Sequence, residues 1–388
     1  MTSDFGPNPG GPVPLSVMTT NTEATSFAAS PTPAAVDDAR RAQILEEPGF
    51  GRYFTDHMVV AEWFDGSWTE PKLLPYSNLA LDPAAMVLHY GQAIFEGLKA
   101  YRHEDGSIKT FRPENNARRF QASAARMAMP ALPEDTFLAS LQLLVNADQA
   151  WVSQDADKSL YLRPYMFSTE VGLGVRPANR FLYVLIASPA GAYFKGGVKP
   201  VSVWLSEEYV RAAKGGTGAA KFAGNYAASL IAQAEAMENG CDQVVWLDAN
   251  EHKYIEEMGG MNLFFVKGEG DNATLFTPAL TGTLLPGITR ESLLELGQDL
   301  GYRVEEGRIS VDEWRDGVAS GAISETFACG TAAVITPVGR VASRNGGFSI
   351  GDGQPGAITM RLREALTDIQ SGHRPDSRNW LTTLVPST

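Results

Sequence analysis

A run of chain-breaking residues near the middle of the sequence divides it into two parts. Residues 189–200 contain two prolines and three glycines, which interrupt regular helices and strands. Such a segment suits a connection between domains, and the 388 residues of the chain are enough for two domains. We therefore predict a small α/β domain at residues 46–190, a linker at residues 191–199 and a larger domain at residues 200–388.

Strand and helix patterns alternate on both sides of this linker without a regular β-α-β rhythm. Pro113 opens one of the helices, since proline is tolerated in a first helical turn. The mixture predicts an α+β fold. The predicted strands are residues 58–64, 107–111, 160–168, 180–187, 201–205, 243–247, 253–257 and 262–266, and the predicted helices are residues 113–127, 134–151, 223–239, 289–300 and 358–369.

The first 45 residues are rich in Pro, Gly, Ser, Thr and Ala and contain few large apolar side chains. Such a stretch cannot bury enough surface to offset its ordering entropy, so we predict that residues 1–45 are a disordered tail. No Lys or Arg precedes Arg40, which argues against a signal peptide. The longest apolar run, residues 181–187, is too short to span a bilayer, so we expect a cytoplasmic protein without membrane contact.

Charge and composition exclude several classes of partner. The net charge of -13 repels phosphate, which argues against nucleic acid and anionic membranes as partners. The two cysteines, Cys241 and Cys329, have no metal-like spacing, and the five histidines form no H-x-x-x-H pair. We therefore expect no metal centre and two reduced thiols.

The segment around Lys221 is the most informative for chemistry. It reads Gly215-Gly-Thr-Gly-Ala-Ala-Lys221-Phe-Ala-Gly-Asn-Tyr226, and it is not a Walker A loop because Ala220 replaces the glycine before the lysine. A loop lysine is ordinarily solvated. Here small residues leave room for a flat ligand, a helix is predicted to follow at once, and Tyr226 is close enough to share that ligand. A desolvated lysine becomes nucleophilic enough to form an imine, so we interpret Lys221 as a Schiff-base residue.

The Lys221-x-x-Gly-Asn-Tyr226 pattern resembles the lysine motif of the branched-chain aminotransferases, which are fold type IV pyridoxal-phosphate enzymes. The resemblance extends from residue 54 to about residue 369. Seven further segments carry it in the same order: Phe54-Thr-Asp-His-Met58, Leu88-His-Tyr-Gly91, Phe95-Glu-Gly-Leu-Lys99, Tyr161-Leu-Arg-Pro164, Gly191-Ala-Tyr-Phe194, Leu285-Pro-Gly-Ile-Thr-Arg290 and Gly330-Thr-Ala332.

This resemblance implies a small α/β domain, a larger α+β domain and pyridoxal 5'-phosphate at the interface between them. It also implies a homodimer. The expected reaction is a ping-pong transfer of the amino group of L-leucine, L-isoleucine or L-valine to 2-oxoglutarate, through a Schiff base at Lys221.

The resemblance also assigns the residues that contact the cofactor. Lys221 is the catalytic residue and Tyr226 meets the phenolate oxygen. A protonated pyridine nitrogen needs a carboxylate, which is Glu257, with Glu256 beside it exposed to solvent. Arg119 is favoured over its neighbour Arg118 as the phosphate cation. The remaining phosphate contacts are the Thr331 hydroxyl and the start of a helix at Ile288 and Thr289. From the residues alone, this helix start could equally be an ordinary Pro-Gly turn.

The substrate contacts implied by the resemblance form a second set. Tyr161 and Arg163 lie on one strand face and would bind a carboxylate, although a core tyrosine beside an ion-paired arginine has the same spacing. The Ala332 N–H and Thr331 would meet the α-carboxylate. The aromatic walls of the substrate pocket are Phe54, Phe95, Tyr193 and Tyr226. The residues that one subunit contributes to the site of its partner include Tyr90, Leu173 and Val175.

Two departures from the family and three alternative functions accompany this interpretation. Gly260 stands where eukaryotic relatives have Thr, and Ala333 and Thr336 replace the redox cysteines of mammalian relatives, so we predict no thiol switch. A D-amino-acid aminotransferase or an aminodeoxychorismate lyase would share the lysine, the glutamate and the phosphate contacts. A catalytically silent cofactor carrier is the alternative from a different class.

Overall fold

The computed structural model describes residues 35–191 and 197–387, so the predicted site residue Tyr193 lies outside the described residues. Across these two ranges, we find no helix with the length and apolar character that crossing a membrane requires. The helices are α1 (Asp38–Glu46), α2 (Met86–Tyr90), α3 (Pro113–Arg126), α4 (Glu134–Ala147), α5 (Ala223–Ala227), α6 (Leu230–Glu238), α7 (Ile288–Asp299), α8 (Val311–Ser320) and α9 (Ala357–Ser371).

The strands before the linker form an antiparallel sheet. They are β1 (His57–Phe64), β2 (Ser67–Trp68), β3 (Lys72–Pro75), β4 (Ala93–Phe95), β5 (Leu98–Arg102), β6 (Ile108–Phe111), β7 (Ser159–Ser168) and β8 (Phe181–Ala190). Their order is β6-β5-β7-β8-β1-β2, with β3 paired to β1 and β4 paired to β7. Helices α3 and α4 cover one face, where Phe120 and Phe137 contact Tyr183 with ring centroids 5.8 and 6.5 Å apart.

The strands after the linker form a mixed sheet that closes on itself. They are β9 (Val201–Ser206), β10 (Gln243–Leu247), β11 (Ile255–Met258), β12 (Met261–Lys267), β13 (Thr274–Pro278), β14 (Arg303–Gly307), β15 (Ile323–Gly330), β16 (Val334–Ser343) and β17 (Gly346–Ser349). Because β11 pairs with both β10 and β12, the strands β11, β10, β9, β16, β15 and β12 form a closed ring. Leu205, Val245 and Phe265 share one apolar cluster with Trp314 of α8.

At two points the elements of the structure differ from the predicted domain ranges. The disordered tail was expected to reach residue 45, but α1 begins at Asp38, where the Asp37 side chain accepts the Arg40 N–H and caps the helix. Its Ile44 is buried in the core of the first sheet, which stabilises a helix that composition did not reveal. The larger domain was expected to include residue 388, but a last strand, β18 (Leu381–Val385), pairs with β6 of the first sheet.

The predicted α+β fold is confirmed, with differences in two helices. The predicted helix at residues 134–151 ends at Ala147 and continues as the 3-10 turn Gln149–Trp151. The predicted helix at residues 223–239 is divided into α5 and α6. The short α5 follows Lys221 directly and packs near β4, so the lysine segment lies where the first sheet meets the ring.

Candidate active site

A cavity of about 270 Å³ lies where β4, β5, β7 and α3 meet the ring of strands. Ten of the predicted site residues line it: Phe95, Arg119, Tyr161, Arg163, Lys221, Tyr226, Ile288, Thr289, Thr331 and Ala332. A larger cavity, of about 490 Å³, lies near Glu325 at the start of α9 and contains none of them. The chemistry of the lining residues, rather than volume, therefore identifies the candidate site.

Lys221 is held by its backbone and faces aromatic rings. Its N–H donates to the Ser123 hydroxyl of α3 over 2.9 Å, and its carbonyl accepts the Phe95 N–H over 3.1 Å. Its Nζ donates to the Tyr226 hydroxyl over 2.8 Å and lies 4.8 Å from the centroid of the Phe95 ring. The amine is thus fixed in the cavity by both halves of the structure.

Asn225 explains the asparagine of the lysine motif, because it holds the loop together. Its Nδ2 donates to the carbonyl oxygens of Thr217 and Ala220 over 2.9 and 3.0 Å. Its Oδ1 accepts from the Thr217 hydroxyl over 2.6 Å. Gly218 is required in this loop, since a Cβ there would lie 2.1 Å from the Thr283 carbonyl oxygen. These contacts fix the direction from which Lys221 enters the cavity.

Glu257 is a buried carboxylate next to the cavity, with 2% of its surface exposed. Its Oε2 lies 2.7 Å from Nη2 of Arg211. Its Oε1 accepts the Leu285 N–H over 2.7 Å and Nδ2 of Asn262 over 3.1 Å. Burial raises the pKa of Glu257 to about 7, against the opposing effect of the Arg211 guanidinium. Arg211 was not predicted, because its importance arises only from this contact.

Glu256 is buried as well, and the prediction that it is solvated was wrong. Only 7% of its surface is exposed, and its Oε1 accepts a hydrogen bond from the Thr283 hydroxyl. The reason is that β11 is paired along both edges and covered by the segment that contains Thr283, so neither face of this strand reaches solvent. Burial raises the pKa of Glu256.

Arg119 is anchored at the edge of the cavity by a fully buried carboxylate. Glu96 accepts from Nε and Nη2 of Arg119, each over 2.8 Å, and also from Asn116 over 2.7 Å. Burial raises the pKa of Glu96, but the Arg119 charge outweighs it and the net pKa is lowered. Nη1 of Arg119 donates to the Pro286 carbonyl, directly before α7. The neighbouring Arg118 has a side chain that is 59% exposed and pairs with Glu134.

The start of α7 supplies backbone donors beside Arg119. The N-cap of α7 is Gly287, and no side chain of the described residues caps the helix. The first-turn N–H groups of Ile288 and Thr289 have no partner within the helix, which makes this end suitable for an anion. A Cβ at position 287 would lie 2.0 Å from Oδ1 of Asn262, so only glycine allows this approach.

Tyr161 and Arg163 form a second polar group in the lining of the cavity. Nη2 of Arg163 donates to the Tyr161 hydroxyl over 3.0 Å, and the guanidinium lies 4.7 Å from the centroid of the Phe95 ring. Nε of Arg163 is buried without a hydrogen-bond partner among the described residues. The alternative of a packed tyrosine beside an ion-paired arginine therefore does not describe this pair. Phe50, which was not predicted, meets the Tyr161 ring edge-on at 4.9 Å and lines the cavity.

Some predicted substrate residues do not reach this cavity. Phe54 stacks on Tyr76 with ring centroids 5.2 Å apart and is not among the residues lining the cavity, so its assignment as a wall stays a prediction. Tyr90, Leu173 and Val175 are 40%, 66% and 85% exposed. The Tyr90 hydroxyl donates to the Leu173 carbonyl, so these residues form one exposed group away from the cavity of their own chain.

Comparison with known proteins identifies the family. The family model described as "Amino-transferase class IV" matches residues 93–341. The branched-chain-amino-acid aminotransferase of Mycolicibacterium smegmatis is 62% identical over 349 residues, which are 89% of this chain and 95% of that protein. This chain belongs to the branched-chain aminotransferase family. The resemblance deduced from the sequence is thus confirmed.

Solved structures of the family agree with the fold. The Escherichia coli branched-chain amino acid aminotransferase matches with a TM-score of 0.66 at 29% identity, over 84% of this chain and 99% of that one. The T.th. enzyme complexed with N-(5'-phosphopyridoxyl)-L-glutamate matches with a TM-score of 0.67 at 28% identity, over 84% of this chain and 98% of that one. The fold type IV branched-chain aminotransferase architecture is therefore also the fold of this chain.

Proposed function

We propose that this protein uses pyridoxal 5'-phosphate to transfer the amino group of L-leucine, L-isoleucine or L-valine to 2-oxoglutarate, which yields the branched 2-oxo acid and L-glutamate. The observation that carries the proposal is the position of Lys221. Its Nζ lies in a cavity that is also lined by two cationic side chains, Arg119 and Arg163. One cation suits the phosphate of a cofactor, and the other suits the carboxylate of a substrate.

The donors and acceptors of the cavity fit pyridoxal phosphate. Arg119 and the free N–H groups at the start of α7 would hold the phosphate, together with the Thr331 hydroxyl. Tyr226 would donate to the phenolate oxygen and Glu257 would accept from the ring nitrogen. Relatives support the assignment, since structures of the T.th. enzyme contain pyridoxamine 5'-phosphate and N-(5'-phosphopyridoxyl)-L-glutamate.

Glu257 would keep a proton on the pyridine nitrogen. When bound, the cofactor withdraws electrons from the substrate Cα and so makes its proton acidic, which requires a protonated ring nitrogen. A carboxylate can hold that proton only while it is ionised. Burial opposes ionisation of Glu257, and Arg211 at 2.7 Å favours it. Arg211 therefore lowers the pKa of Glu257 relative to burial alone and favours the ionised, working form.

Lys221 would have two roles at one nitrogen atom. Its Nζ would hold the cofactor aldehyde covalently, and after release it would move a proton away from the substrate Cα. The centroids of the Phe95 and Tyr226 rings lie 4.8 and 5.3 Å from this atom, and the Tyr226 hydroxyl accepts its hydrogen bond. General acid–base catalysis by a positioned group of this kind contributes roughly 10²–10⁴-fold to a rate.

The substrate end of the cavity would accept both an apolar chain and a second carboxylate. Phe95 and Phe50 offer apolar surface for a branched side chain. For glutamate and 2-oxoglutarate, Arg163 and the Tyr161 hydroxyl supply donors, and the buried Nε of Arg163 has capacity for one more acceptor. The Ala332 N–H would meet the α-carboxylate.

We also propose that the enzyme is a homodimer. The exposed residues Tyr90, Leu173 and Val175 adjoin the exposed Leu88 and Val171 in sequence, and exposed apolar groups of this kind mark interaction surfaces. Their contribution to the partner's site would explain why they lie away from the cavity of their own chain.

Absorbance spectroscopy tests the proposed function. L-Leucine added to the purified, cofactor-loaded protein should convert the band of the lysine-bound cofactor to that of the pyridoxamine form, and 2-oxoglutarate should restore it. Conversion by D-alanine but not by L-leucine would instead support a D-amino-acid aminotransferase. Release of pyruvate from aminodeoxychorismate would support a lyase, and absence of any conversion would support a binding protein.

A further inference from the structure

The ammonium group of Lys99 lies behind the turn that closes one end of the active-site cavity. This turn, residues 331–333, joins β15 to β16, and all of its residues line the cavity. Lys99 is on β5 and donates from Nζ to the Ala332 carbonyl over 2.8 Å. Neither the chemistry at Lys221 nor the proposed cofactor contacts use Lys99.

The turn has an unusual backbone that needs support. Val334, the first residue of β16, has a φ of +62°, a left-handed conformation that β-branched residues rarely adopt. Such conformations persist where the surrounding structure holds them. Two cations hold this turn from behind: Lys99 on the Ala332 carbonyl, and Nη1 of Arg363 from α9 on the Ala333 carbonyl over 3.0 Å.

The two cations also place positive charge next to the turn. The charge that most affects Lys99 is the guanidinium of Arg363, so the two groups are close enough to repel each other. Lys99 is also the register partner of Tyr161 across β5 and β7. It therefore lies on the strand next to the Tyr161–Arg163 pair, which lines the same cavity as the turn.

We propose that Lys99 is a positioning residue that, in its charged form, fixes the turn of residues 331–333 and strengthens binding of the substrate carboxylate. This inference rests on the proposed function, because it assumes that the turn meets an amino acid or a 2-oxo acid.

The charge of Lys99 changes near neutral pH. Burial, and secondarily Arg363, lower the pKa of Lys99 to about 7. A lysine is charged below its pKa, so its support of the turn is strongest in acid and declines as the pH rises through about 7. The register partner of Lys99 on β7 is Tyr161, and Tyr101, two residues further along β5, pairs with Lys109 of β6.

The test uses 4-methylvalerate, a branched carboxylate without an amino group, and the holoenzyme variant Lys99→Met. The Kd of 4-methylvalerate is measured from the cofactor absorbance. At pH 6 it should be about tenfold higher for the Lys99→Met variant than for wild type, because a hydrogen bond to a charged group is lost. At pH 9 the difference from wild type should shrink to less than about threefold, since the wild-type lysine is then largely neutral. Lys72→Met, at an exposed lysine on β3 of the same sheet, is the matched control and should match wild type at both pH values.

An unchanged Kd at pH 6, or a difference that does not vary with pH, would overturn the proposal. If Lys99→Met does not fold, Lys99→Gln replaces it, and the wild-type Kd alone must still rise between pH 6 and pH 9. Titration with L-leucine separates the two ideas. Failure of the wild type to convert its absorbance contradicts the proposed function, whereas normal conversion with an unaffected variant contradicts only the role of Lys99.

Discussion

Replacing Arg211 with methionine should reveal the cost of burying the Glu257 carboxylate. Their side chains are 8% and 2% exposed, and they meet at 2.7 Å. Nη2 of Arg211 also donates to the carbonyl oxygens of Gly218 and Thr283, each over 3.0 Å. Removing one partner of a buried ion pair costs about 3–5 kcal/mol, and each abandoned carbonyl adds about 1 kcal/mol. At about 2–4 °C per kcal/mol, the unfolding temperature should fall by roughly 10 °C or more.

Circular dichroism of the cofactor-loaded protein at pH 8 measures this change. The double variant Arg211→Met with Glu257→Leu is the matched control, because exchanging both charges for apolar groups is close to neutral. It should regain at least half of the lost stability while remaining inactive. A single variant that melts within about 2 °C of wild type, or a double variant no more stable than the single, would show that Arg211 does not stabilise the buried Glu257 carboxylate.

The same variant should change the pH dependence of turnover. Arg211 opposes the effect of burial on Glu257, so removing it must raise the pKa of Glu257 above about 7. A carboxyl is ionised only above its pKa, so kcat should be low at pH 7 and recover as the pH increases. The stability deficit should grow over the same range, because ionisation of the unpaired carboxyl costs more in the variant than in wild type. A parallel loss of kcat at every pH would contradict this role.

Three further predictions follow from the site. Lys221→Ala should lower kcat by at least about 10³-fold while the fold is retained, and steady-state rates with L-leucine measure the loss. Gly97→Ala should raise the KM for 2-oxoglutarate about tenfold or more, since the new Cβ would lie 2.0 Å from the Tyr161 hydroxyl and displace it; an unchanged KM would show that Tyr161 does not bind this substrate. Peroxide should cause no inhibition that dithiothreitol reverses, because Cys241 and Cys329 are 4% and 1% exposed and burial raises the pKa of the Cys329 thiol.

The sequence located the candidate lysine of the cavity because that signal is local. Small residues, Lys221 and Tyr226 lie within one short segment, and the structure joins Lys221 to Tyr226 at 2.8 Å. The choice of Arg119 over Arg118 depended on the family pattern, and the structure places Arg119 at the cavity and Arg118 in solvent. Short-range sequence patterns were therefore sufficient to predict the proposed cofactor contacts.

Contacts between distant segments were not visible in the sequence. Arg211 forms an ion pair with Glu257 of β11. Lys99 donates a hydrogen bond to the Ala332 carbonyl, 233 positions further along the chain. The burial of Glu256 depends on pairing at both edges of β11, which a single strand pattern does not reveal. The last strand, β18, pairs with β6 across most of the chain, and composition gives no sign of such a return.

The central claim is that Lys221 binds the cofactor covalently. Borohydride reduction of the cofactor-loaded protein, followed by proteolysis and mass spectrometry, tests this directly. We expect one phosphopyridoxyl-modified peptide, with the modification on Lys221 and none in the Lys221→Ala variant. Modification of a different lysine, or an unmodified Lys221 in fully loaded protein, would contradict it.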